Sequence, residues 1–277
     1  MNKVVHSEYM SRLINLLKYE FKSNRRNGVY GLTQTKLAYN SNRIEGSTLS
    51  EDQTAFIFDT GTIIASGEVI KTKDVEEMTG HFMMFNEMLN TYEQSLSHEL
   101  IKKYHYRLKS GVFEDMANGF IPGEYKNRVN KVANVKTALP SEVFARMDEL
   151  INGYNSKENI TLYDLAKFHV EYETIHPFCD GNGRTGRIIL FKECLKNNII
   201  PFIISDDNKQ RYYSYLNGAR YNNDYDSMVD YFKEEQENYY DLTYGFVIPY
   251  DLDKEDEKPK FDNEIIEDIE HDISDDR

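Results

Sequence analysis

Twelve residues of the chain, from His176 to Arg187, hold three kinds of side chain that handle phosphate chemistry. His176 titrates near neutral pH and can act as a base. Asp180 offers the hard oxygen ligand that Mg²⁺ prefers. Arg184 and Arg187 are three residues apart, so they share a helix face and can hold phosphate oxygens. Together these residues favour phosphoryl or nucleotidyl transfer.

A glycine-rich turn stands between the histidine and the two arginines. Pro177 disfavours helix at the residue before it, so we predict that the preceding helix ends near Thr174. The next helix must then begin after Gly181, Asn182 and Gly183. The free N–H groups and the dipole of a helix N-terminus attract anions, and glycines let a phosphate approach the backbone. We therefore predict an anion cradle over these three residues.

Each feature of this segment has an ordinary explanation when it is taken alone. A His-Pro pair is commonly a turn, a Gly-Asn-Gly run a loop, and two spaced arginines a solvated face. Phe178 and Cys179 are interpreted as packing residues. A zinc site from His169, His176, Cys179 and Asp180 is conceivable, but its spacing matches no usual ligand pattern. The conjunction of the features is what points to phosphate chemistry.

The segment resembles the signature of the Fic family, His-x-Phe-x-Asp/Glu-Gly-Asn-Gly-Arg-x-x-Arg, and meets it at every fixed position. The resemblance implies a mostly α fold, a Fic-type helical bundle with a short β-hairpin flap beside the active site. It implies transfer of AMP from ATP to a Ser, Thr or Tyr hydroxyl of a target protein or of the enzyme itself. His176 would deprotonate that hydroxyl and Asp180 would hold Mg²⁺. The implied phosphate ligands are Gly181, Asn182, Gly183, Arg184 and Arg187.

Two other functions stay open at this point. Relatives that phosphorylate their targets usually have lysine where Gly183 stands, which disfavours that variant. Phosphocholine transferases keep much of the signature, so a transferase with another nucleotide donor is one alternative. A regulatory module that binds nucleotide without turnover is the other.

A second segment, Ser41 to Gly46, lies at the end of a predicted helix. Ser41 and Glu45 are four residues apart and share a face. An ordinary helix end with a glycine cap would look the same, but the segment also resembles the family's inhibitory motif, Ser/Thr-x-x-x-Glu-Gly/Asn. The resemblance implies that Glu45 pairs with Arg187 and denies it to the γ-phosphate. In the family this glutamate is also implicated in removing AMP by orienting a water molecule.

Two further parts of the site are weaker predictions. The run from Gly123 to Val129 resembles the family's entry to the flap, which would clamp an extended loop of the target by strand addition. Tyr213, of the pair Tyr212-Tyr213, falls where the family often places a tyrosine near adenine, and stacking on a purine is reasonable. A buried tyrosine with a satisfied hydroxyl is the alternative. Arg220 stands near the place where some relatives have an adenosine-binding Asn, which leaves the nucleobase preference open.

Apolar periodicity predicts a mainly helical chain around these segments. Capping boxes at Ser50 and Thr161 mark two helix starts. The alternating pattern between Gly119 and Pro140 predicts the β-hairpin. The predicted helices run through Leu13, Leu16, Leu17 and Phe21; Leu32 to Ile44; Ser50 to Phe58; through Phe82, Phe85, Met88 and Leu89; Leu96 to Leu108; Ser141 to Tyr154; Thr161 to Thr174; Gly183 to Asn197; Gln210 to Arg220; and Asp226 to Tyr239.

The net charge of −14 is unevenly distributed. Residues 251–277 hold thirteen acidic and four basic side chains, a net of −9, which leaves −5 for the rest. Such a body lacks the basic face of a nucleic-acid binder. We predict N-terminal helices with the inhibitory helix over residues 1–45, a catalytic domain over 46–245 and a disordered acidic tail over 246–277.

The cellular setting is predicted from what the sequence lacks. It has no long apolar run and no apolar stretch at its start, so neither a membrane span nor a signal peptide is expected. Its two cysteines cannot form a disulfide framework, which favours the cytoplasm. Relatives often self-associate, so a homo-oligomer is also open.

Overall fold

A computed structural model describes residues 3–63, 67, 69–130 and 135–248. These residues form eleven α-helices and one 3₁₀ turn, with no β-strand. The mostly α fold is thus confirmed. The helices are α1 (Lys3–Lys22), α2 (Val29–Ile44), α3 (Glu51–Thr60), α4 (Thr72–Thr91), α5 (His98–Lys109), α6 (Phe113–Ala117), α7 (Pro140–Asn155), α8 (Leu162–Ile175), α9 (Asn182–Lys196), α10 (Lys209–Asn222) and α11 (Tyr225–Val247), with the 3₁₀ turn at Asp206–Asn208.

Both predicted capping boxes are confirmed. Ser50 Oγ accepts the N–H of Gln53 at 3.1 Å, and Gln53 Oε1 accepts the N–H of Ser50 at 2.9 Å. Thr161 and Asp164 make the same reciprocal pair at the start of α8. These boxes satisfy N–H groups that have no partner inside a helix. They therefore fix where α3 and α8 begin.

The predicted β-hairpin between α6 and α7 is not observed over its described residues. Residues 131–134 lie outside the described residues, and Val135 makes an isolated bridge. On either side, Lys126 donates its N–H to Pro177 O at 2.8 Å, and Ala138 donates to Ile175 O at 3.3 Å. The segment is thus fastened to the end of α8 and the loop that follows, and the hairpin itself stays a prediction.

Helix α9 is the centre of the fold. Every residue from Asn182 to Leu195 is buried, and α2, α4, α5 and α8 enclose the helix. Buried charged side chains need partners, and Lys192 pairs with Glu193 inside this helix. Because α9 is held on all sides, its N-terminus and its two arginines have fixed positions.

A single apolar core runs from α1 to α11 and crosses residue 45 without a break. The division of the chain into 1–45, 46–245 and 246–277 stays a prediction, and residues 249–277 of the acidic tail lie outside the described part. Among the described helices, none combines the length and the apolar character needed to cross a membrane.

Candidate active site

His176 occupies the cap position that ends α8. Its backbone is left-handed, with φ 51° and ψ 65°, and its N–H donates to Tyr172 O at 2.9 Å. The side chain is 16% exposed, and its Nδ1 is buried without a partner in the described part of the chain. Burial, together with the Lys126 ammonium, lowers the pKa of His176 to about 4. The ring is therefore neutral at pH 7 and can accept a proton.

The loop after His176 is held by buried contacts. The Phe178 ring stacks on His105 with centroids 3.8 Å apart. Asn182 Oδ1 accepts the Phe178 N–H at 2.8 Å, and its Nδ2 donates to Phe178 O at 2.9 Å. His105 Nδ1 accepts the Gly123 N–H at 2.9 Å, so its Nε2 carries the hydrogen and donates to Asp180 O at 2.9 Å. These contacts hold the loop in place. Because the Asn182 side chain is bonded to Phe178, its backbone is the part left to line the predicted anion cradle.

The Glu45 carboxylate lies beside the first turn of α9. Gly181 caps the helix with a left-handed φ of 79°, which a glycine adopts without strain. A Cβ on Gly183 would lie 2.2 Å from Glu45 Oε1. Only glycine therefore allows the Glu45 carboxylate this close, and that carboxylate lies where the sequence predicts an anion cradle.

Arg187 joins the end of α2 to α9. Its Nη2 donates to Glu45 Oε1 at 2.7 Å and to Ser41 O at 2.9 Å, and its Nε donates to Ser41 Oγ at 2.7 Å. The guanidinium is buried, while the Glu45 side chain is 32% exposed. The structure thus brings the predicted inhibitory residues, Ser41 and Glu45, to Arg187. The guanidinium is held by three hydrogen bonds, whereas the Glu45 carboxylate is partly exposed to solvent.

Arg184 faces the interior. Its Nη1 lies 2.5 Å from Glu77 Oε2 and 3.1 Å from Asn42 Oδ1, and its Nη2 lies 3.5 Å from Asp180 Oδ1. Sequence reasoning missed both Glu77 and Asn42 as parts of the site. Glu77 is on the buried face of α4, so a charged residue among apolar positions was the available signal. The predicted phosphate contact of Arg184 stays a prediction.

Three carboxylates surround the ammonium group of Lys109. Lys109 Nζ contacts Glu77, lies 2.7 Å from Asp115 Oδ2 and 2.9 Å from Asp180 Oδ2. These three acidic side chains are the only group of metal-binding type in the described ranges. The zinc site considered above therefore finds no support. Because an ammonium already lies among the carboxylates, the interior of this group does not fit a metal.

The outer edge of Asp180 does fit a hard cation. Its side chain is 34% exposed, and its Oδ1 accepts the Gly181 N–H at 2.7 Å. Burial favours the neutral acid, but Arg184 and Lys109 hold the pKa of Asp180 well below its usual range. The Lys73 ammonium lies 3.8 Å from Asp180 Oδ2 on this side, and an ionised, partly exposed carboxylate is the kind of ligand that Mg²⁺ takes.

The two adjacent tyrosines of α10 differ in their surroundings. Tyr212 is buried and its hydroxyl lies 2.7 Å from His169 Nε2, so the satisfied-hydroxyl alternative holds for Tyr212. Tyr213 is 38% exposed. Burial, and then the Glu45 carboxylate, raise the pKa of Tyr213 to about 12. Tyr213 thus lies at the edge of the site, and its contact with adenine stays a prediction.

Part of the chain, including the loop of this site, matches a family model. The family model described as Fic/DOC matches residues 95–193. Protein adenylyltransferase Fic of Nematostella vectensis is 26% identical over 186 residues, which cover 66% of this chain and 42% of that protein. Protein adenylyltransferase fic-1 of Caenorhabditis elegans is 24% identical over 185 residues, 65% of this chain and 35% of that protein. The chain thus spans less than half the length of these curated relatives.

Solved structures share the architecture. A Fic domain containing signaling protein from Bacteroides thetaiotaomicron superposes with a TM-score of 0.70 at 24% identity, covering 85% of this chain and 96% of that one. A fragment of C. elegans Fic-1 gives a TM-score of 0.64 at 23% identity, with 86% and 72% covered. These similarities establish the fold.

Proposed function

Since this chain has the Fic fold, we propose that it is a protein adenylyltransferase that moves AMP from ATP to a Ser, Thr or Tyr hydroxyl of a target protein or of itself. The observation that carries the proposal is the Glu45 carboxylate, which lies on the first turn of α9 and pairs with Arg187. A helix N-terminus that accommodates one anion beside an arginine can accommodate phosphates once that anion leaves. The names of the curated relatives support ATP as donor.

The residues divide the transfer step among them. The hydroxyl oxygen attacks the α-phosphorus and forms the new P–O bond, while the bond to the bridging oxygen breaks and pyrophosphate leaves. His176, neutral above a pKa of about 4, takes the proton of the hydroxyl. Arg187, released from Glu45, binds the γ-phosphate, and the N–H groups of α9 bind its neighbours. Asp180 would hold Mg²⁺, and the ion would supply positive charge that offsets the charge of the phosphates.

The same carboxylate that marks the anion site regulates it in this proposal. Glu45 engages Arg187 and repels the phosphate by like charge. Holding productive binding to about 1% requires only about 2.7 kcal/mol. A charge-assisted hydrogen bond to a buried guanidinium, together with charge repulsion, is of that order. In a second reaction of this proposal, hydrolysis of the modified protein, Glu45 orients the water molecule that attacks the phosphorus, so that AMP leaves and the hydroxyl is restored.

The decisive assay incubates the Glu45→Gly variant with α-labelled ATP, Mg²⁺ and a cell lysate. We expect label on the protein itself or on a lysate protein, no label with Glu45→Gly/His176→Ala, and loss of label after chelation of Mg²⁺. ATP binding without any label would identify a nucleotide-binding module instead. Stronger labelling from another nucleotide would change the donor. Release of AMP from labelled protein by wild type, and not by Glu45→Gly, tests the hydrolysis reaction.

The setting of the enzyme is part of the same proposal. Cys179 and Cys194 are free thiols in the described part of the chain. Free thiols fit a reducing compartment, so we place the protein in the cytoplasm. Self-association into a homo-oligomer stays a prediction that size-exclusion chromatography with light scattering decides.

A further inference from the structure

We propose that Glu173 is a positioning residue for His176, an inference that rests on the proposed function. Its carboxylate accepts the hydrogen of Nδ1 and thereby keeps Nε2 free to take the proton of the attacking hydroxyl. The two side chains are one turn apart, where α8 ends, with Glu173 Oε2 3.9 Å from His176 Nδ1. A small side-chain rotation closes this distance to a hydrogen bond.

Each of the two side chains has a buried polar atom without a hydrogen bond in the described part of the chain. Glu173 Oε1 and His176 Nδ1 have no hydrogen bond within the described residues. Buried polar atoms normally have a partner, because leaving one unpaired is costly. The His176 side chain is 16% exposed, and Nδ1 contributes nothing to that exposure because it is buried. The exposed surface therefore belongs to the other atoms of the side chain, among which is Nε2. A bond from Nδ1–H to Glu173 Oε2 gives the buried ring nitrogen a partner and leaves Nε2 for the substrate.

The neighbouring helix leaves room for this carboxyl group. A Cβ on Gly186 of α9 would lie 2.7 Å from Glu173 Oε1. The glycine therefore allows the carboxyl to lie directly against α9, beneath the histidine. Any larger residue at Gly186 would push the carboxyl group away from this position.

The protonation state of Glu173 decides which nitrogen of His176 carries the hydrogen. An ionised Glu173 accepts from Nδ1–H, so the lone pair of Nε2 takes the hydroxyl proton and the resulting imidazolium faces a carboxylate. A protonated Glu173 instead donates to Nδ1, which leaves the hydrogen on Nε2 and removes the base. The transfer rate should therefore follow the ionisation of Glu173.

This ionisation falls in the range that an assay can reach. Burial raises the pKa of Glu173 to about 7, while Arg187 and Arg220 oppose the shift and Glu45 adds to it. The titratable groups that face the carboxyl are Tyr172 of α8, Arg187 of α9, Tyr212, Tyr213 and Arg220 of α10, and Glu45 at the end of α2.

The first test is the pH profile of kcat/KM for AMP transfer in the Glu45→Gly background, which reports groups of the free enzyme. We expect a rise with an inflection between 4.5 and about 7, since one cause of the raised value is gone. Adding Glu173→Gln should flatten this rise and lower kcat/KM at pH 8 about 10- to 100-fold, as for other groups that orient a histidine. Adding Glu171→Gln, an exposed carboxylate of the same helix, should change neither.

The second test needs no activity. In ¹⁵N-histidine-labelled wild-type protein, with His176→Gln used for assignment, we expect hydrogen on Nδ1 at pH 8 and on Nε2 as Glu173 becomes protonated. Glu173→Gln should abolish this exchange of tautomers. The inference is overturned if the tautomer is constant between pH 5 and 8, or if Glu173→Gln leaves the activity profile unchanged. Absence of transfer by Glu45→Gly itself would overturn the proposed function, and the NMR result would still decide the role of Glu173.

Discussion

Arg187 has one guanidinium and two anions that compete for it, the Glu45 carboxylate and the γ-phosphate of the proposed donor. Because Glu45 Oε1 is 2.7 Å from Nη2, ATP must displace an existing ion pair. We predict that Glu45→Gly strengthens ATP binding by up to about 100-fold, the equivalent of about 2.7 kcal/mol. Isothermal titration calorimetry with ATP and Mg²⁺ measures the change directly.

The matched control keeps the activating substitution and removes the cation. Glu45→Gly/Arg187→Ala should bind ATP about 10- to 100-fold more weakly than Glu45→Gly, because a charge-assisted hydrogen bond is lost. Arg211→Ala, which breaks an exposed pair with Glu234, should have no effect. Equal ATP affinity of wild type and Glu45→Gly would show that the carboxylate does not compete with nucleotide.

We predict that the free energy of unfolding depends on pH because of the ionisation of Glu173. Its pKa is about 7 in the folded protein against an ordinary 4.5, so the folded state holds a proton that the unfolded state has released between these values. The wild type therefore loses stability as pH rises from 4.5 through 7, by on the order of 3 kcal/mol. The Glu173→Gln variant has no carboxyl group to ionise at this position, so it does not lose this stability. Its free energy of unfolding relative to wild type should therefore increase between pH 5 and 8.

Urea unfolding at the two pH values measures this difference. Glu171→Gln serves as the control, because the Glu171 carboxylate is exposed and paired with Arg146 at the surface. It should follow the wild type at both pH values. A Glu173→Gln variant whose advantage is the same at pH 5 and pH 8 would contradict a buried carboxyl with a raised pKa.

Helix α2 contributes to the fold as well as to the proposed inhibition. Ten of its residues are buried, and it packs against α1, α3, α4 and α9. Glu45 is the cap residue after its last turn. We therefore expect the proposed inhibition to be relieved by movement of the Glu45 side chain or the helix end, since detachment of the whole helix would expose the core.

This view predicts different outcomes for two ways of removing the inhibitor. Deletion of residues 1–45 should expose the apolar face of α4 and α9 and give an unfolded or aggregated protein, whereas Glu45→Gly should keep the wild-type circular dichroism and elution volume. Size-exclusion chromatography of both proteins decides the matter. A folded, monodisperse deletion product would mean that α2 is a detachable regulator.

Helix starts that depend on residues close together in the chain could be predicted from the sequence. The capping boxes at Ser50 and Thr161 are confirmed because each depends on residues three positions apart. Helix α11 continues past the predicted end at Tyr239 to Val247, since Thr243 and Val247 extend its buried stripe at a spacing of four. The prediction covered the part from Asp226 to about Tyr239, which is the more polar part of the helix.

Contacts between distant elements were out of reach of the sequence. Arg184 meets Glu77 and Asn42 because α4, α2 and α9 pack together, and no local pattern encodes that packing. Arg187 was assigned to Glu45 only through the resemblance of two motifs. Side chains that align the site from separate helices therefore appear only once the fold is known.

The whole molecule has a buried charge network that joins four helices. Lys109 of α5 contacts Glu77 of α4, Asp115 of α6 and Asp180 before α9, and Arg184 shares Glu77 and Asp180. Most other ion pairs of the described residues are at the surface, where each contributes about 0–1 kcal/mol. The stability of the assembled fold therefore depends unusually strongly on one ammonium group.

Replacing this ammonium should destabilise the whole molecule. Lys109→Met keeps the length of the side chain but leaves three carboxylates without their shared cation, and breaking a buried pair in this way costs about 3–5 kcal/mol. Burial already raises the pKa of Asp115 in spite of Lys109, so in the variant this carboxyl should take up a proton at a higher pH than in the wild type. The loss of free energy of unfolding, measured with urea, should accordingly be smaller at pH 5 than at pH 8.

The control replaces a lysine at the surface. Lys233→Met, which removes an exposed pair with Asp230, should change the free energy of unfolding by less than about 1 kcal/mol. A Lys109→Met protein as stable as Lys233→Met at pH 8 would show that the carboxylates are neutral or solvated without it, and that the network does not hold the four helices together.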